Sequence, residues 1–240
     1  AASVAALVRQ IETKLDAAEQ AEIGPSFFEA TTAAAFLAFS RTPADVAIIE
    51  VGLGGRLDAT NIIDAPLMTG IAQLGLDHEA FLLDPSNGPA FPPLERIGYE
   101  KAGIAKASAP LVTMNYPPAV AARVAAVAAA AGTQVIARKS DWDCAVYQGQ
   151  LHYRDAQGKL SLPLPRLAGQ HQAENAGLAI AMLRHQSAIP MPESALRDPL
   201  DQKLAEALRR LASTRRTEPA QIEALVGQAL QHLRMLSRAE

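Results

Sequence analysis

The chain has 240 residues, 49% of them hydrophobic and 20% charged, and a formal net charge of −3. That balance suits a soluble globular protein of one or two domains, and the slight acidity excludes nucleic acid as a partner recruited by charge. No apolar run is long enough to span a bilayer, the first residues lack the basic segment of a secretory signal, and the single cysteine, Cys144, has no partner for a disulfide or a metal-ligand pair, so a reducing, cytoplasmic setting is predicted.

Residues 2–20 read as an amphipathic helix with Val4, Leu7, Val8, Ile11 and Leu15 on one face, stopped by Gly24 and Pro25. Ser26 with Glu29 three residues on is a capping box for a helix over 27–39, whose aromatics Phe27, Phe28, Phe36 and Phe39 are expected in core packing. Residues 46–51 form an apolar, β-branched run broken only by Glu50, which predicts a strand buried on both faces of a parallel sheet. Ligands sit beyond the carboxyl ends of such strands. A buried Glu50 at that end needs a metal, a helix to cap, or a bridge to Arg56. Gly52, Gly54 and Gly55 follow and allow a tight turn with close approach of the backbone to a ligand. They are no dinucleotide fingerprint, because Leu57 stands where a third glycine would be needed. Arg56, Asp58, Thr60 and Asn61 crowd the next few positions.

A second buried strand is predicted over 68–74, leading into Gly75, Leu76, Asp77 and His78. Glu50 and His78 would then share one sheet edge and could hold a cation, although hard Mg²⁺ prefers oxygen to imidazole. Residues 84–93 read as a surface loop. A short helix over 94–102 ends at Gly103, with Lys101 near its C-terminus, where a cation is favoured. Strands follow at 111–114 and 134–137, separated by an alanine-rich helix over 118–131 and Gly132. From Trp142 to Leu164 the pattern alternates around residues 154–158, a β-hairpin signal. A helix over 170–185 comes next, and residues 198–240 read as two amphipathic helices, at 202–211 and from about Thr217. The fold class is therefore α/β: a mostly parallel sheet flanked by helices, a small antiparallel hairpin or sheet, and a helical tail.

The wording of residues 50–61, E-V-G-L-G-G-R-L-D-A-T-N, resembles the folylpolyglutamate synthase/dihydrofolate synthase family of the Mur ligase superfamily. S-F-F-E-x-x-T from Ser26, G-L-D-H from Gly75, E-K-A-G-I from Glu100 and G-Q-H-Q-A-E-N-A from Gly169 resemble it too. The resemblance covers about residues 5–197. It implies a Mur-ligase-type ATP-binding central domain over 1–197 and an ATP-dependent ligase that adds L-glutamate to dihydropteroate or folates through an acyl phosphate. It implies magnesium held by Glu50 and His78, and a Lys101 carbamylated by CO₂, with Lys106 as the second candidate. It also implies Asn175 and His171 at the adenine of ATP, and Phe28, Gly54, Arg56 and Asp58 at the substrate. The 84–93 loop is longer than the family's connection and has no assigned role.

Two features depart from the family. Its G-T-N-G-K-G-S phosphate loop has no counterpart among these residues, and residues 198–240 match none of its C-terminal domain, so the chain reads as the central part of a ligase. The tail helices are expected to pack on each other, on the core or on a second chain, because isolated helices of that length are marginal in water. Two other readings stand beside this one: another Mur-type amide ligase, and a non-catalytic remnant or interaction module whose tail binds a partner.

Overall fold

The computed structural model describes residues 26–41, 46–165, 169 and 171–189. The helices expected over 2–20 and within 198–240 lie outside the described residues. Those described fall into two units, each taken by itself: the helix that begins at Phe27, and the residues within 42–197.

Helix α1, Phe27–Arg41, opens on the capping box. The Ser26 amide donates to the Glu29 carboxylate at 2.7 Å, and the Glu29 amide donates back to the Ser26 hydroxyl at 3.3 Å. Phe27, Phe28 and Phe39 are exposed, which corrects the expectation of core packing.

The second unit carries two three-stranded sheets. In the first, β1 (Thr69–Ile71), β2 (Leu111–Thr113) and β3 (Val135–Ala137) pair in parallel in that order. Parallel neighbours need long crossovers. Helices α2 (Glu79–Leu82) and α3 (Pro93–Ala102) lie between β1 and β2, and α4 (Pro118–Ala130) between β2 and β3. Both α3 and α4 start with proline, whose missing amide costs nothing in a first turn. Gly132, at φ +77°, ends α4 in the left-handed conformation that glycine takes without strain. Central β2 is buried at all three residues, and Ile97, Leu111, Val112, Met114 and Val124 form the core around it.

The expected strand over 46–51 does not form. Those residues make no ladder in the parallel sheet, Ile48 is 91% exposed and Val46 53%. An apolar run shows what burial a segment can use; a ladder also requires a neighbouring strand, and the described residues place none beside it.

The second sheet is an antiparallel meander of β4 (Trp142–Tyr147), β5 (Gln150–Asp155) and β6 (Gly158–Pro163), the small antiparallel hairpin or sheet that was expected, with one reversal beyond the one marked at residues 154–158. The additional reversal is Gln148-Gly149, with both residues at positive φ (47° and 72°) as a type I′ turn requires. Glutamine seldom fills the first of these places, so the turn is weakly marked in sequence. Helix α5, His171–Arg184, spans the two sheets. A Cβ on its Gly177 would lie 2.4 Å from Cys144 Sγ, and one on Gly70 of β1 would lie 2.5 Å from Met182 Sδ. No helix among the described residues is long and apolar enough to cross a membrane.

One ion pair ties α5 to the meander. Arg184 donates through Nε and Nη2 to the two oxygens of Asp155 at 2.6 and 2.8 Å, and the Tyr153 hydroxyl donates to the same carboxylate at 3.1 Å. The Asp155 side chain is fully buried. Burial by itself would raise the pKa of this carboxyl, but the Arg184 guanidinium outweighs it and holds the group below the ordinary range. A folded-state value depressed below the unfolded one stabilises the fold above the unfolded pKa, and that contribution is lost as pH falls through the folded value. Asp155→Asn is therefore expected to lower stability at neutral pH by about 1–3 kcal/mol. The gap should narrow as both proteins are acidified, and urea melts over a pH series read it. A gap that stays constant down to acid pH would show that the carboxylate charge is not what matters.

Candidate functional site

The glycine turn is built by interlocking with the end of α3. Gly54 sits at φ +68°, a left-handed conformation that suits glycine, and packs on Leu82 of α2. A Cβ on Gly55 would stand 2.9 Å from the carbonyl oxygens of both Glu100 and Lys101. The Arg56 amide donates to the Glu100 carbonyl at 2.8 Å. From the other side, a Cβ on Gly103 would meet Arg56 Cβ at 2.3 Å and Cα at 2.5 Å. The two segments approach so closely because each offers a bare glycine to the other's backbone.

The residues after the turn bind it to itself. Buried Asp58 accepts from the Leu53 amide at 2.8 Å, the Thr60 amide at 2.9 Å and the Thr60 hydroxyl at 2.5 Å, and so caps a short 3₁₀ turn, Ala59–Ile62. Asn61 donates to the carbonyls of Arg56 and Gly103 at 3.2 and 3.0 Å, and Lys106 Nζ donates to the Asn61 carbonyl at 2.9 Å.

Around this backbone runs an ionic clamp centred on Glu100. Arg56 donates to its two oxygens through Nε at 3.0 Å and Nη2 at 3.1 Å. Arg96, one turn earlier in α3, reaches Oε1 through Nε at 3.0 Å, and its Nη2 stands 2.8 Å from the same oxygen. Glu100 and Arg96 side chains are only 6% and 3% exposed. Arg56 Nη2 also donates to the Asn87 carbonyl, and Arg96 Nη1 to the Pro89 carbonyl at 2.6 Å. Both guanidiniums lie over the Tyr99 ring, 5.5 and 5.8 Å from its centroid; Phe91 meets that ring edge-on at 5.7 Å, and Arg123 lies 3.7 Å over Phe91. The 84–93 loop, to which the sequence assigned no role, supplies the two carbonyls and the phenylalanine.

Lys101, half-buried, occupies the last turn of α3, and its carbonyl accepts from the Ile104 amide at 3.3 Å. Glu50 is exposed, not sunk at a strand end, and the arginine that it was a candidate to bridge pairs with Glu100. His78 leads into α2 at φ +53°; its side chain is exposed, with Nε2 3.7 Å from Asp77. Among the described residues no group of three or more His, Cys, Asp or Glu gathers as a metal cluster.

No family model matches the chain. The dihydrofolate synthase/folylpolyglutamate synthase of Escherichia coli K12 is 36% identical over 178 residues, which are 74% of this chain and 38% of that protein. The solved E. coli structure with DHPP and ADP matches with a TM-score of 0.65 at 36% identity, over 80% of this chain and 42% of its own. The Thermotoga maritima folylpolyglutamate synthase matches with a TM-score of 0.67 at 31% identity, over 81% and 44%. The matched part of this chain belongs to the folylpolyglutamate synthase/dihydrofolate synthase family. The chain spans about two fifths of the length of these relatives.

In this member of the family, Gly54, Arg56 and Asp58 lie together in the clamped turn, while Phe28 lies on α1 in the other unit. Asp58 spends its carboxylate on its own loop, and Arg56 spends its guanidinium on Glu100 and Asn87. His171 and Asn175 are exposed, one turn apart on α5, and the Asn175 amide makes only a long 3.5 Å contact to Gln172. A cleft of about 550 Å³ opens beside the same helix, lined by Arg138, Cys144, Val146, Gln172 and Glu174 but by neither His171 nor Asn175. Burial pushes the Cys144 thiol up, away from thiolate reactivity. Sequence reasoning missed Glu100 and Arg96 as the centre of the clamp. The available signal was their i, i+4 spacing on one helix.

Proposed function

We propose that this chain carries part of an ATP-dependent ligase that adds L-glutamate to dihydropteroate or a folate through an acyl phosphate. The observation that supports it is the interlock of the Gly52–Asn61 run with Glu100–Gly103, which brings the two most family-specific segments into one structure with Lys101 beside them. The names of similar solved structures add that one holds DHPP and ADP and another AMPPCP and folate.

In this reading the substrate carboxylate attacks the γ-phosphorus of ATP, the bond to ADP breaks, and an acyl phosphate forms. The glutamate amine then attacks the acyl carbon, phosphate leaves, and the amine gives up a proton. Lys101, as the neutral amine, adds to CO₂: a nitrogen–carbon bond forms, one carbon–oxygen electron pair moves to oxygen, and the nitrogen proton passes to water. The result is an anionic carbamate where the sequence has a cation. Asn175 offers donor and acceptor to an adenine edge, with His171 beside it. Glu50 and His78 would hold Mg²⁺: the exposed carboxylate suits a hard ion that keeps several waters and takes its other ligands from phosphates, and the exposed imidazole is the softer ligand that the family resemblance implies. Bound there, magnesium would offset charge on the transferring phosphoryl group.

Isothermal titration of the folded chain with ATP and magnesium, and separately with dihydropteroate, tests the reading. Binding of nucleotide that weakens roughly tenfold in Asn175→Ala is expected, about the value of a lost pair of hydrogen bonds. A folded chain that binds neither ligand would favour a non-catalytic module instead.

A further inference from the structure

We propose that Glu100 is a positioning residue for Lys101, acting through Arg56, Arg96 and the 84–93 loop; this rests on the reading of Lys101 as the carbamylated lysine. Glu100 immediately precedes Lys101, and its carboxylate collects four guanidinium contacts between 2.8 and 3.1 Å. One guanidinium comes from the glycine turn, the other from within α3. Each also reaches a carbonyl of the 84–93 loop, at Asn87 and at Pro89. The side-chain clamp therefore closes over the same place where the backbones interlock: the Gly55 position faces the Glu100 and Lys101 carbonyls, and the Arg56 amide bonds to Glu100.

A residue held on both sides by backbone contact and by a buried ion pair has little freedom to rotate about the helix end. The clamp thus sets the direction in which Lys101 leaves α3 relative to the glycine turn. It also gives the 84–93 loop a purpose. Its two carbonyls accept guanidinium hydrogens left over by a single carboxylate, one from each arginine, while Arg96 Nη2 stays buried with only its ion-pair contact to Glu100. Shape adds to the restraint, since a Cβ on Gly88 would lie 2.8 Å from Arg96 Nη2.

The test reads the carbamate itself. The chain is equilibrated with ¹³C-bicarbonate, and the carbamate carbon is followed by nuclear magnetic resonance, with Lys101→Ala identifying the signal. Glu100→Gln keeps the size of the side chain and removes the charge that gathers the arginines. Arg56→Met leaves Glu100 paired with Arg96 and cuts the side-chain links from the glycine turn to Glu100 and to the Asn87 carbonyl, so it serves if Glu100→Gln does not fold. In folded variants the carbamylated fraction at fixed bicarbonate is expected to fall roughly tenfold, the size of effect carried by groups that orient a site's direct ligands. An unchanged fraction in a folded variant would overturn the positioning role, since a merely structural clamp would change the melting temperature and leave the carbamate alone. Absence of a Lys101-dependent signal in the unaltered chain would overturn the reading of Lys101 itself, and with it the thing to be positioned.

Discussion

A polypeptide of these 240 residues, assayed by itself with ATP, magnesium, bicarbonate and glutamate, is expected to ligate glutamate far more slowly than a full-length relative. Phosphoryl transfer rests on positioning and on electrostatic stabilisation around the phosphates. The loop that does this in many nucleotide enzymes supplies several backbone amides, a lysine and a metal-binding hydroxyl together. Within residues 1–240 no G-x-x-x-x-G-K-[ST] run occurs. The turn at Gly52–Gly55 is no substitute, because its backbone faces the Glu100 and Lys101 carbonyls and its arginine is held by Glu100. Loss of a single preorganised donor already slows a reaction roughly a hundredfold to a thousandfold, so the deficit should exceed that. Product formation followed by chromatography decides the matter. A rate close to that of the E. coli relative would mean that phosphates bind at a place other than the one supposed.

Glu100→Ala is expected to be the most damaging single substitution in the clamp, costing about 3–5 kcal/mol of stability. The reason is what remains behind. Arg96 is 3% exposed and would keep its charge with no acid beside it, and Arg56 would lose its carboxylate as well. Domains of this size hold only about 5–15 kcal/mol in all, so a large part of the fold's margin would go. The pair between Arg123 and Glu95 provides the contrast. Its members are 34% and 19% exposed and stand 3.4 Å apart. At that exposure Glu95→Ala should cost no more than about 1 kcal/mol. Urea denaturation of the two variants side by side measures the difference. Equal and small losses would show that water reaches Arg96 and replaces its partner.

Much of the architecture was legible because its causes are local. The capping box at Ser26 and Glu29 and Gly132 after α4 act within a turn of the chain, where only near neighbours are needed. The short strands at Thr69–Ile71, Leu111–Thr113 and Val135–Ala137 lie inside their apolar runs for a similar reason: residues without water-seeking groups mark themselves out. The specific wording of residues 50–61 and of Glu100–Ile104 carried the family, and similar proteins bear it out.

Other features depend on distance along the chain. Residues 46–51 have a strand's composition, but a strand exists only with a partner to share its hydrogen bonds, and composition names no partner. Gln148-Gly149 turns because the flanking strands pair, with little help from the glutamine. The sequence alone determined that a glycine turn and a lysine-bearing helix end are both present. Only the tertiary structure decided that they interlock and that Glu100, 44 residues from Arg56, holds them together. A buried charge must find its opposite wherever folding brings one near; the i, i+4 spacing marks Arg96 as one partner of Glu100, but Arg56 is chosen in space, by the packing of α3 against the turn.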